Sequence, residues 1–146
     1  MYYISEVMPV NPHYNQNYSR EDIEIVLGTI KKCVASGRYY ISLNENRQDN
    51  IAFIHEYNIR SDRQQSILMD IEVEDFCHSL QNTKSGFEFE TLYVFVPQVQ
   101  LYQIDGREVT VDVYTKFNII NLPGGNRTVV VSFHKRNKPI DYLFRT

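Results

Sequence analysis

Two rhythms divide the chain. In "SREDIEIVLGTIKKCVASG", Ile23, Val26, Leu27, Ile30, Cys33 and Val34 recur at helical spacing, which predicts a helix over Ser19–Ala35. Ser19 with Asp22 forms a capping-box pattern at its start, and Gly37 stands where a C-terminal cap belongs. "RYYISL" reads as a short strand. "DNIAFIHEYNI" reads as a second helix capped by Asp49 or Asn50. Ser61 with Gln64 repeats the capping-box pattern and opens a turn or two through Ile67, Leu68 and Ile71, and "VEDFCHSL" reads as a further helical segment ending near Asn82. From Phe87 the period changes to two. "FETLYVFVPQVQLYQI" predicts two strand pieces separated at Pro97, and Asp105-Gly106 a hairpin turn before the long alternating "REVTVDVYTKFNII". "NLPGGN" is a second turn, "TVVVSFHK" the returning strand, and "PIDYLF" a last short one. Helices followed by a strand meander predict an α+β domain with an antiparallel sheet across residues 91–135 and the first helix on one of its faces.

Alternation assigns faces. Val109, Val111 and Val113 point to the core, with Glu108, Thr110, Asp112, Tyr114 and Lys116 opposite. On the next strand the same parity sends Val129, Val131 and Phe133 inward and Val130, Ser132 and His134 outward. His134 therefore belongs to the polar face with Asp112 and Tyr114.

Length changes this picture little: 146 residues make one domain with a core of its own. The first 19 residues carry no basic stretch followed by an apolar run and predict no secretory signal. No 18-residue apolar run predicts a membrane span. Cys33 and Cys77 stand apart and predict reduced, buried thiols in a cytoplasmic protein. Charge is more telling. Residues 107–146 hold seven basic and three acidic side chains, a net +4, which leaves −7 on residues 1–106 and −3 overall. A cationic C-terminal third suits a phosphate-facing edge or a solvated tail.

An imidazole, a carboxylate, a phenol and several cations on one face suit acid–base cleavage of RNA. A base removes the 2′-OH proton, an acid protonates the leaving 5′-oxygen, and cations stabilise the phosphorane. His134 serves either proton role, with Lys135, Arg136 or Arg107 supplying charge. Beside Asp112 the imidazole would be held charged, which favours the acid role; the bland alternative for the pair is an exposed salt bridge. There is no GxxxxGK[ST], GxGxxG, GxSxG or HExxH, and His13, His55, His78 and His134 are too dispersed for a local metal site. No cofactor or metal is expected.

Taken in order, "IKKCVASGRYYISLNENRQDNIAFIHEYNI", "ILMDIEVEDFCHSL", "LYVF", "IDGREVTVDV" and "VVVSFHKRNKPIDYLF" resemble MqsR-type toxins of the RelE-like superfamily of mRNA interferases. The resemblance spans about residues 23–144 and leaves residues 1–18 as an N-terminal extension to a single domain, 19–146. It implies a curved antiparallel sheet packed by helices. It also implies a metal-independent endoribonuclease that cuts mRNA and is neutralised by a cognate antitoxin. The family's basic residue in its "DF-x-x-S" segment falls on His78, and the one after "SF" on His134. Its aromatic hydroxyl and lysine fall on Thr110 and Asp112, with Tyr114 two residues further as the replacement hydroxyl. The catalytic set is then His134, His78, Tyr114 and Asp112, and the RNA-binding set Lys135, Arg136, Arg107 and Lys116. A lysine exchanged for Asp112 opens a second expectation: a toxin-like scaffold that has lost catalysis and binds a protein as inhibitor or regulator.

Overall fold

The computed structural model describes residues 13–145, so most of the stretch read for a secretory signal lies outside the described residues. In chain order the elements are α1 (Arg20–Ala35), β1 (Tyr39–Ile41), α2 (Gln48–Glu56), α3 (Ser61–Met69) and a 3₁₀ turn (Val73–Asp75). Then come β2 (Phe76–Gln81), β3 (Thr91–Phe95), β4 (Gln98–Tyr102), β5 (Glu108–Leu122) and β6 (Gly125–Lys135). The fold is α+β, with a curved, unclosed sheet ordered β1-β6-β5-β3-β2 and β4 on the first half of β5.

α1 forms as its sequence dictates. Ser19 Oγ accepts from Asp22 N and Asp22 Oδ2 accepts from Ser19 N, so two N–H groups that a helix start leaves unpaired are satisfied. At the other end Gly37, at φ 75°, lets its own N–H reach Val34 O and Arg38 N–H reach Cys33 O, closing the last turn. The buried stripe of Ile23, Leu27, Ile30 and Val34 packs on Phe76, Phe95, Phe117, Val130 and Phe133, together with Phe53, Ile67 and Leu68 of α2 and α3. All three helices thus share one core on one sheet face.

The sheet is mixed rather than antiparallel throughout. Gly37 redirects the chain so that Arg38 O accepts from Thr128 N at the start of β6, and β1 then runs parallel to β6, pairing Tyr39 with Thr128 and Ile41 with Val130. The remaining pairs are antiparallel. Where β1 ends, Asn50 takes over the β6 edge. Its Nδ2 donates to Val131 O and Ser42 O, and its Oδ1 accepts from Phe133 N. Asn50 is therefore no helix cap; Arg47 is the α2 N-cap residue, and Arg60 rather than Ser61 precedes α3.

Two bulges overturn two sequence expectations. "VEDFCHSL" is not helical beyond Val73–Asp75; it is strand β2, in which Cys77 is an extra residue between Phe76 and His78. The bulge places Phe76 in the helix-side core and Cys77 on the opposite face, which imitates helical spacing in the sequence. On β6 an extra residue at Val131 shifts the register, so Phe117 pairs with Val130 and Lys116 with Ser132. Val130 is consequently in the core, and the inward placement expected for Val129 and Val131 is reversed. Phe133 and His134, beyond the bulge, keep their expected faces. "PIDYLF" forms no strand; Ile140 and Tyr142 lie over the far sheet face, with Tyr142 Oη donating to Val96 O.

Residues 13–18 are packed into the domain. Asn15 bridges Ser79 through both backbone hydrogen bonds, Tyr18 Oη is 2.6 Å from Ser79 Oγ, and Gln16 donates to Cys77 O. They cap the outer edge of β2.

Candidate functional site

Strand register builds the site. His78 on β2 pairs with Val94 on β3, Val94 with Lys116 on β5, and Lys116 with Ser132 on β6. One row on the helix-free face therefore runs His78, Val94, Lys116, Ser132. The next β5–β6 pair places Tyr114 opposite His134, with rings stacked at 5.3 Å and 17°. Lys138 Nζ lies 4.9 Å from the Tyr114 ring, and Tyr14 lies on His78. Arg47, from the loop before α2, lines one groove with Lys116.

Of the expected catalytic residues, the structure brings together Tyr114 and His134, while His78 shares their face but lies on β2, two strands from Tyr114; of the RNA-binding set Lys116 shares that face. Asp112 is not His134's partner, contrary to expectation. Its carboxylate accepts from Arg136 Nε at 3.1 Å, and its carbonyl from Arg136 N. Arg136 also donates to Lys138 O, so the Asp112–Arg136 pair fixes the turn that carries Lys138 over Tyr114. Lys135 faces the helices, bonded to Glu56 at 2.9 Å and above the Tyr57 ring. Arg107 is tied to Asp105 and Gln103 in the β4–β5 turn, seven residues before Tyr114, or about 23 Å along an extended chain. Thr110 is exposed beside Gln100. The basic C-terminal third is thus no single patch: Arg107, Lys135, Arg136 and Arg145 are each bonded to a carboxylate.

What remains is cationic. Lys116, Lys138 and Arg47 make no ion pair among the described residues. Burial, then Lys138 and Arg47, pushes the Lys116 ammonium down to about 8. Burial, with Lys138 and Lys116 adding, pushes His78 down to about 4, so this imidazole is neutral at pH 7. Its Nε2 is buried without a hydrogen-bond partner among the described residues. Burial, ahead of Tyr14 and Cys77, raises Tyr114, which keeps its phenolic proton. His134 is the accessible imidazole. Its Nδ1 lies 2.8 Å from Lys135 O; a carbonyl only accepts, so Nδ1 carries the proton and Nε2 of the neutral ring is left as an acceptor.

Three hollows run along this side, joined by shared lining. The largest, about 480 Å³, includes Tyr40, Arg47, Lys84, Phe87 and Lys116. The second, about 190 Å³, includes Arg47, Asp49, Ser132 and His134. The third, about 220 Å³, includes Asp49, Glu56 and His134. Tyr40 and Phe87 are exposed along the largest hollow, whose lining sets Arg47, Lys84 and Lys116 against Glu90. Among the described residues no three His, Cys, Asp or Glu converge to hold a metal ion, and no helix is long and apolar enough to cross a membrane.

Tyr14, Arg47, Ser132 and Lys138 were not singled out by sequence reasoning. Tyr14 lies in the segment assigned to the extension, and Ser132 was expected on the polar face with Lys116 but given no role there. No protein-family model matches this chain, and no curated protein is significantly similar to it.

Proposed function

We propose that this protein is a metal-independent endoribonuclease of toxin type that cleaves mRNA. The observation that carries the proposal is the cluster of Lys116, Lys138 and Arg47, none of them ion-paired among the described residues, on the side of the sheet that holds His134, whose Nε2 is left as an acceptor. His134 Nε2 removes the 2′-OH proton and the 2′-oxygen attacks phosphorus. Lys138 and Arg47 stabilise the charge on the phosphorane, and the Lys116 ammonium gives its proton to the departing 5′-oxygen. The products are a 2′,3′-cyclic phosphate and a 5′-hydroxyl. Buried Tyr114 and neutral His78 hold the walls of the site and place Lys138 and Lys116.

The resemblance to MqsR-type toxins supports the toxin assignment, a cytoplasmic site of action and a cognate antitoxin as protein partner. Induction of the protein is expected to arrest growth, and His134→Ala or Lys116→Ala to abolish both arrest and cleavage of a single-stranded RNA. Arrest by the folded variants at the parent's level would contradict the reading.

One observation favours the second reading, a scaffold that binds a protein without cleaving RNA: Tyr14 and the sheet close His78 Nε2 from solvent. Under that reading no RNA is cut, and a partner is captured equally by the parent and by His134→Ala.

A further inference from the structure

We propose that the hollow between the α2 N-terminus and β6 is a nucleobase subsite that selects bases bearing an exocyclic amino group. This rests on the RNA-cleavage reading and adds what that reading leaves open, the base beside the scissile phosphate.

Size and position come first. At about 190 Å³ the hollow is smaller than the roughly 300–1,000 Å³ of drug-sized sites and suits one heterocycle. Arg47 lines both this hollow and the groove containing Lys116, and His134 forms part of its wall. A nucleotide whose phosphate lies on Arg47 and Lys116 therefore presents its base here.

Lining chemistry sets the preference. Ser132 is 5% exposed and lines the hollow, and its hydroxyl makes no hydrogen bond among the described residues while keeping some accessible surface. A hydroxyl in a mostly buried residue, unpaired within the protein and open to the hollow, is available to bond what enters. The carboxylates of Glu45 and Asp49, on the same lining, have no ion-pair partner among the described residues. Unpaired carboxylates beside a phosphate site repel the phosphate, so they suit the donor edge of the base instead. A carboxylate accepts from the N4 amino group of cytosine, whereas uracil presents a carbonyl at that place. Asn46 and Gln48 complete a polar rim. The hollow thus favours amino-bearing bases and disfavours uracil.

Cytidine and uridine 3′-monophosphates are the cleanest probes, because they differ only at C4 and the adjacent N3, where cytosine has an amino group and a lone pair and uracil a carbonyl and an N–H. Each is titrated into the full-length ¹⁵N-labelled protein in EDTA, with the amides of Arg47, Asp49 and Ser132 followed by NMR. The proposal expects the cytidine nucleotide to bind about fivefold or more tightly, with shifts centred on those amides, and Asp49→Asn or Glu45→Gln to bring the ratio towards one. Equal binding of the two nucleotides, no binding of either, shifts centred on Lys84 and Phe87, or a preference that survives both substitutions would overturn it. Binding is read without cleavage. A protein that prefers cytidine yet cuts no RNA overturns only the nuclease reading, and a nuclease without the preference overturns only the subsite.

Discussion

Tyr14 lies flat on His78, with ring centroids 3.6 Å apart and planes 8° from parallel. The stack closes the outer side of an imidazole whose other side is sheet, and the desolvated ring resists protonation. This has a measurable effect on stability. His78 titrates at about 4 in the folded protein against an ordinary 6.5, so on acidification the unfolded chain takes up its proton first. Stability is therefore lost as pH falls from 6.5 to about 4, by up to about 3 kcal/mol. Urea unfolding at pH 7 and pH 4.5 is expected to show a smaller loss in His78→Gln than in the parent. An identical loss would mean that His78 is not the buried titrating group.

Asn50 replaces a strand at the β6 edge. It is 1% exposed and its amide serves Ser42, Val131 and Phe133. Asn50→Ala leaves those backbone groups unpaired and is expected to lower unfolding stability by about 2–4 kcal/mol. It is also expected to displace α2 and with it Asp49. A loss under about 0.5 kcal/mol in chemical denaturation would show that the edge is covered by other means.

Asp112 is a positioning residue in this account. Removing a carboxylate near a phosphate site ordinarily tightens RNA binding. Here Asp112→Asn releases Arg136 and the turn carrying Lys138, so KM is expected to rise by about two- to fivefold, the scale of a partly exposed ion pair, with kcat nearly unchanged. Tighter binding in Asp112→Asn would contradict the positioning role.

How legible all this was in the sequence depended on whether a local rule decided the element. α1 was readable because Ser19, Asp22 and Gly37 act within a few residues of the helix they terminate. The β4–β5 and β5–β6 hairpins were readable because turn residues separate alternating runs. The bulges at Cys77 and Val131 were not readable, since each is set by the partner strand; the first decided the face of His78, and the second reversed Val129, Val130 and Val131 while Ser132 and His134 stayed outward. The His134–Asp112 pairing failed for a related reason. Parity placed both on one face, but register put Tyr114 opposite His134, and Arg136, two residues further along the chain, reached Asp112. Lys138 and Arg47 come from loops, where periodicity carries no information.

In the proposed mechanism Lys116 sets the alkaline limb. Held near 8 in the free protein, it loses its proton as pH rises through that value, and an acid that has lost its proton cannot serve the leaving oxygen. The kcat/KM for RNA cleavage is expected to fall above about pH 8. The same limb in kcat lies higher, because a bound phosphate favours the ammonium. Lys116→Arg, which stays charged, is expected to remove the limb along with most of the rate. A parent profile flat to pH 10 would exclude Lys116 as the acid.

The most direct test is the chemistry of the cut ends. A single-stranded RNA is incubated with the protein in EDTA, and the 3′ and 5′ termini of the products are determined. Cleavage is expected to leave 2′,3′-cyclic phosphate and 5′-hydroxyl ends and to be absent with His134→Ala. Cleavage that requires added magnesium and leaves 5′-phosphate ends, or that proceeds at the parent's rate in His134→Ala, would contradict it.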